Sequence, residues 1–291
     1  MVTITINGQA VEAPEGTSVL DAATAAGVTI PTLCYLKDLN CIGSCRVCLV
    51  DVEGEGLAAS CNTAVREGMV VRTDTPQVAV ARRANLQAIM DDHRALCATC
   101  VRQDTCALRD LASTFNLADA PGLLPEPAPW DADFPLQRDS SKCIKCMRCV
   151  AICEKVQHCA VWDFTGVGPS TKIIVRDSLP IAEAGCALCG QCITHCPTGA
   201  LTAFDPYVDK IGMAVVDEAE CQLYGISGTC NAPCIDACEW DALSLDENGR
   251  LVVDEKRCNG CGACEYVCPT SAYRNYDASN KRGINVEVWH G

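Results

Sequence analysis

Two cysteine runs in the middle of the chain carry the most specific chemical signal in the sequence. Both have the spacing C-x2-C-x2-C-x3-C, the first at 143–153 and the second at 186–196. Runs of this kind bind [4Fe–4S] cubes, and the fourth cysteine of each run ligates the cube of the other run. Zinc also binds C-x2-C pairs, but triplets with a crossing cysteine and a Cys-Pro ending are not typical of zinc. The two predicted cubes, site 3 and site 4, are held by Cys143, Cys146, Cys149 and Cys196, and by Cys153, Cys186, Cys189 and Cys192.

Residues 221–268 contain a second, less regular pair of runs. CNGCGACEYVCP has the standard spacing, whereas its partner is stretched by the insertion LYGISGT between its first two cysteines. The segments AVVDEAEC (214–221) and LVVDEKRC (251–258) repeat each other, as expected of a pseudo-symmetric two-cluster fold. Crossing ligation predicts two further [4Fe–4S] cubes. Site 5 uses Cys221, Cys230, Cys234 and Cys268, and site 6 uses Cys238, Cys258, Cys261 and Cys264.

The N-terminal part of the chain contains five cysteines before residue 62. Cys45 and Cys48 are separated by a tight turn, which lets two sulfurs meet one iron. With Cys34 and Cys61 they form the pattern C-x10-C-x2-C-x12-C, and these four residues are candidate metal ligands at one site, site 1. The alternative first ligand is Cys41, because plant-type ferredoxins use the shorter spacing C-x4-C-x2-C. Cys41 leaves one residue too few for that spacing, and we expect it to be a small buried side chain.

Three more cysteines, Cys97, Cys100 and Cys106, lie within DDHRALCATCVRQDTC and have no fourth cysteine beside them. His93 precedes Cys97 by four positions, so at the end of a helix both side chains project from one face. An imidazole nitrogen can replace a thiolate on iron, as Rieske centres show. The competing interpretation is that His93 only caps the last helical turn, where positive charge is favoured.

The cysteine content separates metal binding from disulfide formation. The 291 residues include 25 cysteines, an odd number that a closed set of disulfides would not give. The start MVTITINGQAV has neither the basic nor the apolar region of a secretory signal, and no apolar run reaches about 18 residues. We therefore expect a cytoplasmic chain without a membrane span, whose reduced cysteines bind metal. The formal net charge of −14 argues against nucleic-acid binding, which needs a basic face.

The elements that must position these residues are short. VTITI at 2–6 alternates as a half-buried strand does, and Asn7-Gly8 predicts a hairpin to a second strand, QAVEA. Helices are predicted over 18–26 and over 74–96, the second with a proline in its first turn. Five prolines within 119–135 predict an extended linker.

The spacing at site 1 resembles the [2Fe–2S] domain at the start of the large iron–sulfur subunit of respiratory complex I, and the start of multi-cluster iron-only hydrogenases. The preceding strand–turn–strand–helix order is similar to the β-grasp arrangement of plant-type ferredoxins. In the complex I family a group of one histidine and three cysteines follows this domain, as H-x3-C-x2-C-x5-C does here. The resemblance implies that site 1 is a [2Fe–2S] cluster held by Cys34, Cys45, Cys48 and Cys61. It also implies that site 2 is a [4Fe–4S] cluster held by His93, Cys97, Cys100 and Cys106.

Together the motifs and the resemblance predict an α+β, multi-module iron–sulfur protein with one [2Fe–2S] and five [4Fe–4S] clusters. The predicted modules are a plant-type [2Fe–2S] β-grasp domain (1–75), a helical [4Fe–4S] module with one histidine and three cysteine ligands (76–118), a Pro-rich linker (119–138) and two tandem bacterial-type two-cluster ferredoxin domains (139–210 and 211–291). The six sites leave Cys41 and Cys159 of the 25 cysteines unassigned.

Residues 1 to about 210 are similar to the complex I subunit and to the equivalent subunit of NAD-reducing soluble hydrogenases. The resemblance implies a non-catalytic electron relay between a flavoprotein subunit, which binds FMN and NAD(P)H, and a terminal catalytic subunit. A hydrogenase or a formate dehydrogenase is the expected terminal partner, with a thioredoxin-like [2Fe–2S] subunit and a soluble ferredoxin as further partners. The sequence contains no G-x-G-x-x-G dinucleotide fingerprint, so two-electron chemistry is expected on partners.

The module 211–291 distinguishes this chain from the short members of this family, which end near the end of the preceding ferredoxin domain. We expect it to pass electrons to a second partner, and this layout fits a flavin-based electron-bifurcating complex. One alternative is a free-standing polyferredoxin that carries electrons by diffusion and elutes as a monomer near 31 kDa. The other is a zinc-rich structural scaffold, which would be colourless.

Overall fold

The computed structural model of the chain describes residues 1–93, 97–117, 130–131, 133–204, 210–224, 230–270 and 282–289. Its short helices and strands divide into two compact units. Unit 1 comprises Met1–Pro129, Asp139–Ala151 and Cys196–Ala200, and unit 2 comprises Trp130–Arg138, Ile152–His195 and Leu201–Gly291. The predicted module 139–210 is divided between them, and the module boundaries stay predictions. Within the described ranges, no helix combines the length and the apolar character that crossing a bilayer requires.

A five-stranded sheet organises the first part of unit 1. Its strands are β1 (Val2–Ile6), β2 (Gln9–Ala13), β3 (Leu49–Val52), β4 (Gly56–Ala59) and β5 (Val70–Arg72), in the order β2-β1-β5-β3-β4. β1 pairs antiparallel with β2 and parallel with β5. The predicted hairpin is present, and its residues Asn7 and Gly8 have the positive φ values, 50° and 85°, that a tight hairpin turn needs.

The sheet and helix α1 (Val19–Ala25) share one apolar core. The side chain of Ser18 caps the helix by accepting the N–H of Asp21. Alternation along β1 turns Ile4 and Ile6 inward, where they pack with residues such as Val50. Because full burial of a side chain of this size stabilises by roughly 1.5–3 kcal/mol, this core makes the sheet a firm support for the loops that follow it.

Two further helices build a second core in unit 1. Helix α2 (Pro76–Asp92) begins after Thr75, whose side chain accepts the N–H of Val78, and His93 is its C-cap. The helix predicted over 74–96 is therefore present for most of its length, while 94–96 lie outside the described residues. Helix α3 (Ala107–Thr114) contacts α2 over an apolar cluster that includes Leu86 and Leu108.

Unit 2 is built from antiparallel strand pairs and short helices. The pairs are β6 (Leu136–Arg138) with β9 (Leu201–Ala203), β7 (Trp162–Thr165) with β8 (Lys172–Val175), β10 (Gly212–Val216) with β13 (Ile284–Val288), and β11 (Leu243–Leu245) with β12 (Leu251–Val253). The helices are α4 (Arg148–Lys155), which begins in unit 1, and α5 (Gln191–Thr194), α6 (Pro233–Asp236) and α7 (Ala263–Tyr266). β10 and β12 are the strands of the two sequence repeats. Most of the predicted linker lies outside the described residues, and its last residues form β6.

Candidate iron–sulfur sites

The four predicted ligands of site 1 come together in unit 1. Cys34, Cys45 and Cys48 precede β3 and Cys61 follows β4, so the antiparallel pairing of these two strands returns Cys61 to the other three. The hydroxyl and the amide of Ser60 both donate to the carbonyl oxygen of Cys48, at 2.8 and 3.1 Å. All four cysteines are at most 8% exposed. The remaining cysteine of this segment is exposed rather than buried, which favours Cys34 as the first ligand.

The thiols of site 1 interact in pairs. A hydrogen bond with Cys34 lowers the pKa of Cys45 to about 6, and a hydrogen bond with Cys61 lowers the pKa of Cys48 to about 6. The same hydrogen bonds, followed by burial, raise the pKa of Cys34 and of Cys61. Thiolates rather than thiols bind metal, so one member of each pair is readily deprotonated at neutral pH.

The cysteines of site 2 lie between α2 and α3. Cys97 begins a short 3-10 turn, and Cys106 immediately precedes α3. Both are buried and Cys100 is partly exposed. Burial, and then the neighbouring thiols of Cys100 and Cys97, raise the pKa of Cys106, so these three side chains share one local environment.

His93 has the surroundings that a neutral metal ligand needs. It is 5% exposed, its ring hydrogen-bonds to the backbone of Lys142, and Nδ1 is buried without a hydrogen-bond partner among the described residues. Burial lowers the pKa of the imidazole and so disfavours the imidazolium that a charge-based helix cap would use. Ligating histidines usually hold their second ring nitrogen on a backbone carbonyl or a carboxylate. The orphaned nitrogen therefore fits iron ligation.

Site 3 contains the first crossing between the two central runs. Cys196, from the second run, lies beside Cys146 and Cys149 of the first run, and it contributes to the raised pKa of both. The main cause is burial, which raises the pKa of Cys146 to about 12. Lys145 takes a left-handed conformation with φ of 56°, and its amide donates to Sγ of Cys143 at 3.4 Å.

Polypeptide contacts join site 3 to both other sites of unit 1. The side-chain amide of Asn40 donates to the carbonyl oxygens of Cys34, at 2.6 Å, and Cys146, at 2.9 Å. Sγ of Cys106 lies 3.7 Å from the carbonyl oxygen of Pro197, the residue after Cys196. The ligand loops of sites 1, 2 and 3 are thus held against one another, an arrangement that suits electron transfer among them.

Site 4 shows the reciprocal crossing in unit 2. Cys153, from the first run, lies beside Cys186 and Cys189, and its charge adds to burial in raising the pKa of both thiols. Together with Cys192, these cysteines line one cavity. The amide of Val161 donates to Sγ of Cys153 at 3.3 Å.

Cys159 lines the same cavity, although its spacing in the sequence assigns it to no run. Its thiol donates to the carbonyl oxygen of Gln157, 3.4 Å away. Burial, and then the neighbouring Cys153, raise its pKa. Cys159 is therefore a fifth cysteine beside the four predicted ligands of site 4.

Sites 5 and 6 are neighbouring thiol groups in unit 2, and Cys264 of site 6 also interacts with Cys234 of site 5. Cys221 and Cys234 both interact with Cys230 and Cys268, which is the grouping predicted for site 5. Residues 225–229 of the insertion lie outside the described part of the chain. In site 6, the thiols of Cys238, Cys258, Cys261 and Cys264 line one cavity together with Trp240. Backbone amides donate to two of these sulfurs, from Ala214 to Cys258 at 3.4 Å and from Ala242 to Cys238 at 3.3 Å.

Two glutamines link site 4 to site 6. The side-chain amides of Gln157 and Gln191 both donate to the carbonyl oxygen of Cys261, at 2.7 and 3.2 Å. A Cβ placed on Gly262 would lie 3.8 Å from Cβ of Cys189, so the two ligand loops nearly touch. The sequence offers no signal for these contacts, because Gln157 lies outside the cysteine runs and Gln191 occupies an unspecified position between Cys189 and Cys192.

All 25 cysteines lie among the described residues, and none of them is in a disulfide. No group of three or more His, Cys, Asp or Glu side chains in the described ranges is spaced to hold a single metal ion. A [4Fe–4S] cube distributes its ligands over separate iron atoms, so its sulfurs stand farther apart than the ligands of one ion.

Three protein-family models match the chain. The 2Fe-2S iron-sulfur cluster binding domain matches residues 1–76. The NADH-ubiquinone oxidoreductase-G iron-sulfur binding region matches 82–121. The 4Fe-4S dicluster domain matches twice, at 142–200 and 228–272.

Similar proteins include components of hydrogenases and of NADH-quinone oxidoreductases. The NADP-reducing hydrogenase subunit HndD of Solidesulfovibrio fructosivorans is 40% identical over 209 residues, which are 69% of this chain and 36% of that protein. A component of the NADH-quinone oxidoreductase of Rhizobium meliloti is 34% identical over 212 residues, which are 71% of this chain and 24% of that protein. The chain thus spans about a third or less of these two proteins.

A shorter relative is matched over most of its length. The gamma subunit of the NAD-reducing hydrogenase HoxS of Cupriavidus necator is 30% identical over 203 residues, which are 69% of this chain and 86% of that subunit. Among solved structures, a chain of an NAD+-reducing [NiFe]-hydrogenase in the H2-reduced state superposes with a TM-score of 0.64 at 25% identity. The superposition covers 70% of this chain and 88% of that one.

Proposed function

The chain belongs to the family of the gamma subunit of NAD-reducing hydrogenase, and we propose that it is an electron-transfer iron–sulfur subunit of an NAD(P)-linked oxidoreductase complex. The observation that carries this proposal is the grouping of thiols in both units from cysteines that are distant in sequence. A chain with many closely connected cluster sites and no dinucleotide fingerprint is suited to conducting electrons rather than to catalysis.

At the level of ligands, we propose one [2Fe–2S] cluster at site 1 and [4Fe–4S] clusters at sites 2 to 6. When bound, the clusters supply one-electron transfer. The protein supplies thiolates, the buried His93, amides that donate to ligand sulfurs, and exclusion of water. Three of the four site 1 ligands, for example, are 1% exposed.

The contacts between ligand loops suggest an order for the relay. Asn40 joins sites 1 and 3, and the glutamine pair joins sites 4 and 6. Helix α4 carries Cys149 of site 3 and Cys153 of site 4. We therefore propose that electrons enter at sites 1 and 2, pass through sites 3 and 4, and leave through sites 5 and 6.

The proposed donor is a flavoprotein subunit that binds FMN and NAD(P)H, accompanied by a thioredoxin-like [2Fe–2S] subunit. The proposed acceptor is a catalytic subunit, with a hydrogenase first and a formate dehydrogenase second. The names of HndD and HoxS, which are NADP- and NAD-reducing hydrogenases, support this choice. The second dicluster match at 228–272 supports an additional exit, as a flavin-based electron-bifurcating complex would need.

Anaerobic native purification with mass spectrometry of every companion chain tests the proposal. We expect a large, brown assembly that contains a flavoprotein and a hydrogenase or formate dehydrogenase chain. A brown monomer near 31 kDa without companions would instead identify a diffusible polyferredoxin. A colourless protein would contradict both functions.

A further inference from the structure

Arg82 is a buried cation in helix α2. Only 7% of the residue is exposed, although arginine is rarely buried unless it is paired. Both Nε and one terminal nitrogen donate to the same acceptor, the carbonyl oxygen of Leu49, at 2.9 and 2.6 Å. Neither of these hydrogen bonds neutralises the charge of the guanidinium.

The negative group that acts most strongly on this cation is a predicted ligand of site 1. Leu49, which accepts both hydrogen bonds, directly follows Cys48. The electrostatic interaction of Arg82 with the Cys48 thiolate is stronger than its interaction with the exposed Asp74. Among the ion pairs of the described residues, none involves Arg82. Burial of a charge without a counter-charge is costly. The site 1 thiolates, together with the cluster that they bind, therefore compensate the buried charge of Arg82.

We propose that Arg82 is the buried counter-charge of the site 1 cluster and sets its reduction potential. This inference rests on the proposed [2Fe–2S] cluster at site 1. Reduction transfers one electron to that cluster, from the reduced flavin of a partner subunit or from a chemical reductant, and no proton is required. The added negative charge interacts favourably with a cation in a poorly screened environment. Arg82 therefore stabilises the reduced form more than the oxidised form and raises the potential.

The neighbouring Arg83 provides a matched control. It occupies the next position of the same helix and is exposed. It donates to the carbonyl oxygens of Phe115 and Asn116 at the end of α3, away from the ligands of site 1. Replacement of either arginine removes one positive charge and one set of hydrogen bonds to carbonyl oxygens, but only Arg82 is buried beside Cys48.

The test is an anaerobic redox titration of the full chain, with its clusters reconstituted from iron and sulfide and the [2Fe–2S] signal followed by electron paramagnetic resonance. The variants are R82Q and R82M, which remove the charge, R82K, which keeps it, and R83Q. We expect the uncharged variants to lower the reduced-to-oxidised ratio at a fixed ambient potential about tenfold, which is about 59 mV for a one-electron couple. R82K and R83Q are expected to stay close to the wild type.

Each outcome decides the role of Arg82. An unchanged potential in R82Q or R82M with a fully occupied site 1, or equal shifts in R82K and R82Q, would overturn the proposal. Loss of the site 1 cluster from both uncharged variants but not from R82K would support a role of the charge, whereas loss from all three would show a purely structural role and overturn it. A wild-type chain with no [2Fe–2S] signal would refute the proposed function of site 1 instead.

Discussion

At the residue scale, His93 is distinctive because it is the one proposed ligand that is not a thiolate. Its buried Nδ1, which has no hydrogen-bond partner among the described residues, would be a costly feature in a protein that never bound metal there, since a buried polar atom without a partner costs about 1–3 kcal/mol. An imidazole also contributes no negative charge. A cube at site 2 therefore carries one negative charge fewer than a cube held by four cysteines, and we expect it to be easier to reduce.

We predict that H93A loses the site 2 cluster, with a fall of about four iron atoms per chain. H93C should retain the cluster at a lower potential, because a thiolate adds negative charge next to the iron. Iron analysis and electron paramagnetic resonance of the reconstituted chain measure both effects. H158A is the control, because His158 is exposed and stacks on Tyr266 with ring centroids 5.4 Å apart. Full iron content in H93A would remove His93 from the ligand set.

The sequence was informative about individual residues where spacing carries the signal. The crossing of Cys196 to the first run was predicted from motif spacing alone, and the structure groups it with Cys146. Residues outside the motifs were not predictable. Asn40 and Arg82 act through backbone carbonyls that folding brings to them, and no local pattern encodes such a contact. Cys41 was expected to be buried, but it is exposed. This prediction was wrong because the sequence carries no signal for the direction in which a loop side chain points.

At the element scale, the ligand loops depend on backbone conformations that side chains normally avoid. Gly260, between two ligands of site 6, has φ of +74°, and a Cβ at this position would overlap the carbonyl oxygen of Gly212 in β10. The loop therefore packs against the strand through backbone alone. Gly249 has the same φ of +74° but nothing within 4 Å of its Cβ position. An alanine substitution at Gly249 therefore carries the conformational cost of the left-handed backbone without a steric clash.

We predict that G260A loses the site 6 cluster and that G249A keeps it. Both variants incur the left-handed penalty of about 1–2 kcal/mol, whereas only G260A also forces backbone apart, at a further cost of roughly 1–3 kcal/mol. Iron content and the denaturant midpoint for loss of the cluster absorbance are the measurements. Equal behaviour of the two variants would show that strain, and not the contact with β10, limits this loop.

Helices and strands with a local sequence pattern were predictable. The short helices that lie within the ligand loops were not. The Asn7-Gly8 hairpin and helix α2 follow from turn chemistry and capping, which are local. The one-turn helices α5 and α7 are too short to show any periodicity. Strand β6 lies within the predicted linker. It was not predicted because its pairing partner β9 is far away in the sequence.

At the scale of the whole molecule, the composition indicates that metal contributes to folding. Aromatic residues make up 5% of the chain, and the apolar cluster around the last strands includes the ligands Cys221, Cys234, Cys264 and Cys268 as core members. A core whose members are ligands is complete only when the ligands are bound. The core of the sheet in unit 1 also includes the predicted ligands Cys48 and Cys61, but it contains more aliphatic residues.

This organisation bears on how the proposed exit through sites 5 and 6 can be tested. Removal of all residues after about 210 would delete Ile211, which lines the site 4 cavity, and Gly212, whose backbone packs against Leu188 in the site 4 loop. Such a deletion would damage site 4 together with the exit. The contacts of Gln157 and Gln191 with Cys261 offer a narrower intervention, because they join sites 4 and 6 without being ligands of either.

We predict that the double variant Q157L/Q191L, in the native complex, slows electron transfer from NAD(P)H to the terminal acceptor but spares transfer from NAD(P)H to a dye. Leucine approximates the size of glutamine and cannot donate to the Cys261 carbonyl, so two hydrogen bonds are lost at a cost of about 1–3 kcal/mol. The site 6 loop then moves relative to site 4, while the sites of unit 1 are unchanged. Q87L on α2 is the control, since Gln87 is exposed and bonds only Asp91 among the described residues. Equal slowing of both reactions, with all clusters present, would mean that electrons do not leave through site 6.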